Sequence, residues 1–161
     1  MPSTRLMGRK YSPAVMQAPV VPPSEAIRFR ARCRTRWSDE DSQGVLNNAV
    51  YLTLLEEARW QYCEHLGLIT PEGHFSFVLG QTTVRFLAPG RGPAEVEVET
   101  VTTALGRRSL HQAYRVVDPA TGTTWAEAEA ALVIWDGRTR ASADMPERFR
   151  RAVADFEGLE A

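Results

Sequence analysis

The sequence predicts an α+β fold in which an antiparallel sheet wraps around one long central helix. Three observations predict it: a strictly alternating run near the N-terminus, a single long stretch of helical periodicity, and four strand-like runs in succession after it. A chain of 161 residues, 43% hydrophobic and 24% charged, is sized for one ordinary domain and has globular composition.

Residues 1–24 hold five of the ten prolines together with Arg5, Arg9 and Lys10, and no acid. A segment so poor in apolar residues cannot offset its ordering entropy, so it reads as a flexible proline-rich leader, with the folded domain over 25–161. It is not a signal peptide, because Pro13, Pro19, Pro22 and Pro23 break any apolar core.

From Ala26, the residues Ile27, Phe29, Ala31, Cys33, Thr35 and Trp37 alternate with Arg28, Arg30, Arg32, Arg34 and Arg36. Alternation puts the two sets on opposite faces of a strand. Glu95, Glu97 and Glu99 alternate with apolar residues later, as do Glu127 and Glu129. Arginine and glutamate ladders on neighbouring strands pair across the solvent face of a sheet, so the arginines are not expected to bind nucleic acid. Nineteen basic residues against twenty acidic ones, a net charge of −1, give no general attraction to polyanions either.

The helix is predicted over 48–66. Tyr51, Leu54, Leu55, Ala58, Tyr62 and Leu66 recur at spacings of three and four, with Thr53, Glu56, Glu57, Gln61 and Glu64 opposite. Asn47 or Asn48 caps its start, and Gly67 suits its stop. Strands follow at about 75–87, 94–104, 108–117 and 124–135, separated by Pro89-Gly90-Arg91-Gly92, by Gly106 and by Asp118–Gly122. A short amphipathic helix near 146–156 closes the chain, with Phe149, Val153 and Phe156 on one side. Long strands leave free sheet edges, and pairing between two copies removes them, so a homodimer is expected. No run of 18 apolar residues is available to span a membrane. Cys33 and Cys63 fit no metal or redox spacing and read as buried thiols of a cytoplasmic protein.

The chemistry is expected between the first strand and the helix, in Trp37-Ser38-Asp39-Glu40-Asp41-Ser42-Gln43-Gly44-Val45-Leu46-Asn47-Asn48-Ala49-Val50-Tyr51. Three acids before a helix can simply complement its dipole. They can also set a carboxylate beside free N–H groups, the base-plus-oxyanion-donor pair that acyl transfer uses.

The run Asp39-x-Asp41-x-x-Gly44-x-x-Asn47-Asn48-Ala49-x-Tyr51, continuing to Glu56-Glu57-Ala58-Arg59, resembles the hotdog-fold acyl-CoA thioesterases of the 4-hydroxybenzoyl-CoA thioesterase-like group. The Pro89–Pro93 turn, Gly106 to Ser109 and Met145-Pro146-Glu147 fit too, so the resemblance covers residues 26–155. It implies a thioesterase acting on a small or medium acyl-CoA, with acyl carrier protein thioesters also possible. Asp41 would be the general base or nucleophile and Asp39 a support. Asn48 would contribute its backbone amide to the oxyanion site. Gly44, Val45, Asn47, Tyr51 and Ser109 would contact substrate, and Arg107 and Arg108, from their place at a turn, are the candidates for meeting coenzyme A phosphates. No cofactor or metal is implied, and the assembly would be a homodimer or a dimer of dimers.

The chain departs from the pattern at Val45, where many relatives carry His, and at Asn48, where others have Tyr or His. A non-catalytic acyl-CoA or acyl carrier protein binding domain is therefore the alternative. A dehydratase of this fold lacks its His-acid motif here, and a DNA-binding regulator would need a helix-turn-helix that the leader is too short to hold. Ser109 has no nucleophile elbow. Among the histidines, His65 suits the helix C-terminus, His74 falls in a loop and His111 on a strand surface. Trp60, Phe77 and Phe86 are expected to shape the acyl pocket or to be ordinary core.

Overall fold

The computed structural model describes residues 18–160. β1 spans Phe29–Thr35, α1 Asn48–His65, β2 Phe77–Phe86, β3 Ala94–Leu105, β4 Ser109–Asp118, β5 Thr123–Asp136, β6 Ala141–Ser142 and α2 Glu147–Glu157. The sheet order is β1-β3-β4-β5-β2 with every neighbour antiparallel, and the two-residue β6 adds to β5. The sheet curls around α1 as the element order predicts, which is the hotdog architecture that the resemblance implies.

The helix forms where its signals place it. Asn47 is the cap, its Oδ1 accepting the Ala49 N–H at 2.9 Å. Tyr51, Leu54, Leu55, Ala58 and Tyr62 are all buried against the sheet. Each buried leucine contributes about 2 kcal/mol, so the stripe rather than helix propensity holds α1 in place. Arg59 is buried on the same side, a position the apolar periodicity does not predict. α1 comes closest to β1 and β3, and the inner positions of β5, Ala126, Ala128 and Ala130, join the same core.

On the outer face the charges meet strand by strand. Arg30 lies opposite Glu99, Arg32 opposite Glu97 and Arg34 opposite Glu95; Glu99 lies opposite Arg115, and Glu127 opposite both Arg115 and Arg85. The guanidinium of Arg115 is 2.8 Å from Glu99 and 3.2 Å from Glu127, while Arg30 is 3.2 Å from Glu99. One row of alternating sign thus crosses all five long strands, as the ladders predict.

The first strand is shorter than the alternation suggests. Single 3₁₀ turns occupy Ser24–Ala26 and Trp37–Asp39. The Asp39 carboxylate accepts the Arg36 N–H at 2.7 Å and turns the chain there, leaving Trp37 77% exposed instead of on the apolar face. Most of the predicted leader, residues 1–17, lies outside the described residues. Its last part crosses the outer face: the Val20 N–H donates to Glu129, Arg115 donates to the Pro22 carbonyl, and Ser24 bonds Glu99.

The two sheet edges carry different side chains. On β1 the Gln61 amide reaches from α1 to the free backbone of Arg32, accepting its N–H at 3.1 Å and donating to its carbonyl at 2.9 Å. On β2, Val78 and Leu79 stand exposed beside a register shift at Gly80. Cys33 and Cys63 are buried and unpaired, and burial pushes both thiols up to about 12.

Candidate active site

The loop between β1 and α1 is held from both sides. The Asp41 N–H donates to the Val45 carbonyl at 2.8 Å, the Asn47 N–H to the Asp39 carbonyl at 2.9 Å and the Leu46 N–H to the Gly90 carbonyl at 2.9 Å. Gly44 turns the loop at a φ of +70°, where any side chain is strained.

The three acids of the loop have different employment. Asp39 is tied to the Arg36 backbone and guanidinium, and the Glu40 carboxylate accepts the Gly92 N–H at 3.0 Å. Asp41 lies exposed, and among the described residues its carboxylate accepts only the Gln43 N–H, at 2.7 Å. Glu40 also accepts a single N–H among the described residues, but of the three acids only Asp41 is exposed. At the start of α1, the N–H groups of Ala49 and Val50 are taken by Asn47. The Asn48 N–H has no partner among the described residues and is open to a ligand.

A cleft of about 320 Å³ adjoins these groups, lined by Val45, Leu46, Asn48, Tyr51, Phe86 and the 87–90 turn. Of the sequence-predicted residues it therefore collects Val45, Asn48 and Tyr51, with Gly44, Asn47 and Asp41 in the supporting loop. Tyr51 packs edge-on against Phe86 at 5.1 Å, and its hydroxyl lies against Gly90, where an added Cβ would come within 2.6 Å of it. Burial raises the Tyr51 phenol above its ordinary range, with the Gly90 hydrogen bond acting the other way.

Arg107, Arg108 and Ser109 are not in this cleft. The loop is anchored at the beginning of β3 and the arginines follow its end, so the length of that strand puts roughly 35 Å between them within one protomer. There Arg107 and Arg108 both grip Asp144, at 2.9 and 2.6 Å, and the Arg108 hydrogen bond, followed by the charge of Arg107, holds its carboxyl below the usual range. Asp144 also lines a cavity of about 980 Å³ with Phe75, Phe77, Trp135, Asp136 and Arg138. Sequence reading missed Asp144, which carries no local signal, and Arg138, whose only signal is the turn-like Asp136-Gly137-Arg138 run. Trp60 lies instead in a shallow groove with Phe75 on the outer side of α1.

A family model described as the thioesterase-like superfamily matches residues 35–153. The chain belongs to the thioesterase-like superfamily. It is 30% identical to the acyl-CoA thioester hydrolase YbgC of Escherichia coli over 139 residues, covering 80% of this chain and 96% of that protein. Among solved structures, a thioesterase from Thermus thermophilus complexed with coenzyme A and zinc is 33% identical, with a TM-score of 0.71 over 85% of this chain and 99% of that one. A 1,4-dihydroxy-2-naphthoyl-CoA thioesterase from Synechocystis shares the fold, with 23% identity and a TM-score of 0.66 over 79% of this chain and 96% of that one. Among the described residues no helix of this family member is long and apolar enough to cross a membrane, and no three His, Cys, Asp or Glu side chains gather into a metal site.

Proposed function

We propose that this protein hydrolyses the thioester of a small or medium acyl-CoA, with Asp41 as general base or nucleophile. The single observation that carries the reading is the pairing of one exposed carboxylate, Asp41, with a helix N–H, that of Asn48, that has no partner among the described residues, across a loop that adjoins an apolar cleft. Asp41 would activate water or attack the carbonyl. The Asn48 amide would stabilise the oxyanion that forms, and since a backbone donor serves there, the asparagine side chain is no obstacle. Val45 in place of an imidazole leaves the carboxylate to act alone.

The distant arginines fit the same reading through a dimer. Two copies of β2 related by a two-fold axis pair antiparallel, so the Phe86 end of one strand meets the Phe77 end of the other. Arg107, Arg108 and Ser109 belong to the Phe77 end, because the Ile134 N–H bonds the Arg108 carbonyl and Ser109 pairs with Val133 while Phe77 pairs with Ile134. The partner's β4 then lies three strand spacings, about 14 Å, from the cleft-bearing β2, within the span of a coenzyme A molecule. Each site would combine Asp41 of one protomer with the arginine pair of the other.

The test is thiol release from a panel of acyl-CoA substrates by the full chain and by Asp41→Asn. Hydrolysis by the first and its near loss in the second support the reading. Tight acyl-CoA binding without turnover would instead make the protein an acyl-CoA binding module.

A further inference from the structure

We propose that Phe86 sets the upper length of the acyl group, closing the cleft beside the Asp41 loop to chains of more than about ten carbons. The proposal rests on the thioesterase reading and names the specificity-determining residue of that site. The cleft of about 320 Å³ has room for roughly ten groups the size of a water molecule or a methylene. Its floor cannot deepen. Leu46 and Tyr51 are each 2% exposed, and the Leu46 N–H is bonded to the carbonyl of buried Gly90. Tyr51 is wedged so closely that a Cβ added at Gly90 would come within 2.6 Å of its hydroxyl and 2.9 Å of the Trp125 ring. Interior packed in this way yields to a longer chain only at a cost.

Phe86 is the wall that differs. It is the last residue of β2 and the largest exposed side chain in the lining, at 47%, with its ring edge-on to Tyr51 at 5.1 Å. Its partner across the ladder is Ala126, so on the sheet only a methyl group stands beside the ring. The space beyond the ring belongs to the seam of the proposed dimer. Phe77 and Val78, at the other end of β2, line the cavity of about 980 Å³. Since the Phe77 end of one strand meets the Phe86 end of the other in that dimer, the cavity of one protomer adjoins the cleft of its partner, and the Phe86 ring lies between them. Cutting the ring back would join the two spaces and admit a longer chain.

The experiment measures kcat/KM of the full chain, of Phe86→Ala and of Phe86→Leu for butyryl-, hexanoyl-, octanoyl- and tetradecanoyl-CoA, with sedimentation to show that the assembly is unchanged. In the native protein tetradecanoyl-CoA should fall about tenfold or more below octanoyl-CoA, the usual penalty for overfilling an apolar pocket. Phe86→Ala should raise the tetradecanoyl-to-octanoyl ratio by about tenfold or more, and Phe86→Leu by less. Equal rates for the two substrates in the native protein, or a ratio that Phe86→Ala leaves unchanged, would overturn the proposal and leave the thioesterase reading standing. No thiol release from any substrate would overturn both. Should Phe86→Ala fail to fold or alter the assembly, the native panel and Phe86→Leu decide alone.

Discussion

β1 and β2 close the same sheet at its two edges, and their free sides are finished in different ways. Along β1, arginines face solvent and the Gln61 amide satisfies the exposed backbone of Arg32, so no further strand can dock there without displacing it. Along β2, Val78 and Leu79 are about two-fifths exposed and the only charged residue is Arg85. A capped, charged edge resists pairing, whereas an uncapped ten-residue edge with a single charge invites it. The contrast favours β2 as the seam of the proposed dimer, which would bring the arginine end of one protomer to the Asp41 loop of the other.

Perturbing the two sides of this comparison should give effects of very different size. Asp41→Asn, in the loop that the proposed seam would complete, should slow turnover roughly 10²-fold or more with the assembly unchanged; unchanged turnover would remove Asp41 from the mechanism. Leu79→Arg on β2 should shift the protein to an 18.0 kDa species in sedimentation at micromolar concentration and take most of the activity with it. Arg115→Met, at the centre of the outer charge row, should cost about 2 kcal/mol in denaturant unfolding because Glu99 and Glu127 lose a partly buried partner, with little change in turnover. Gln61→Ala uncaps β1 and should cost about 1 kcal/mol without altering the dimer. If the uncapped variant instead forms larger assemblies, the β1 cap is the principal guard against edge pairing.

Alkaline stability offers a further check on the interior. Tyr62 and Tyr114 both titrate above the ordinary 10.0 because burial disfavours the phenolate, so the folded state holds protons that the unfolded chain releases. Their contribution is complete below pH 10 and is lost as pH rises from there through the folded values. Denaturant midpoints should therefore fall above pH 10, while absorbance titration of the folded protein should leave these two phenols protonated up to that point.

The fold was legible because its signals are local. The Arg/apolar alternation, the stripe from Tyr51 to Tyr62 and the Asn47 cap each depend on neighbours in sequence, and each element forms within a few residues of its predicted bounds. Trp37 departs from the alternation because one side chain, that of Asp39, turns the chain before the pattern ends. The site was legible only in part. Asp41, Gly44, Val45, Asn48 and Tyr51 lie in one contiguous motif, but the employment of Asp39 and Glu40 that leaves Asp41 available is set by contacts to Arg36 and Gly92. The burial of Arg59 depends on where α1 meets β4, and the distance between Asp41 and Arg108 on strand order. Neither is written in any local spacing.

The composite site is the central claim, and complementation between inactive protomers tests it most directly. Asp41→Asn and the double variant Arg107→Glu/Arg108→Glu would each be prepared, shown to be dimeric and nearly inactive, then mixed in equal amounts under exchange. Half the dimers become hybrids, each with one of two sites intact, so activity should recover to about a quarter of the native level. No recovery, with hybrid formation verified, would mean that the site is built within a single protomer and would contradict the account.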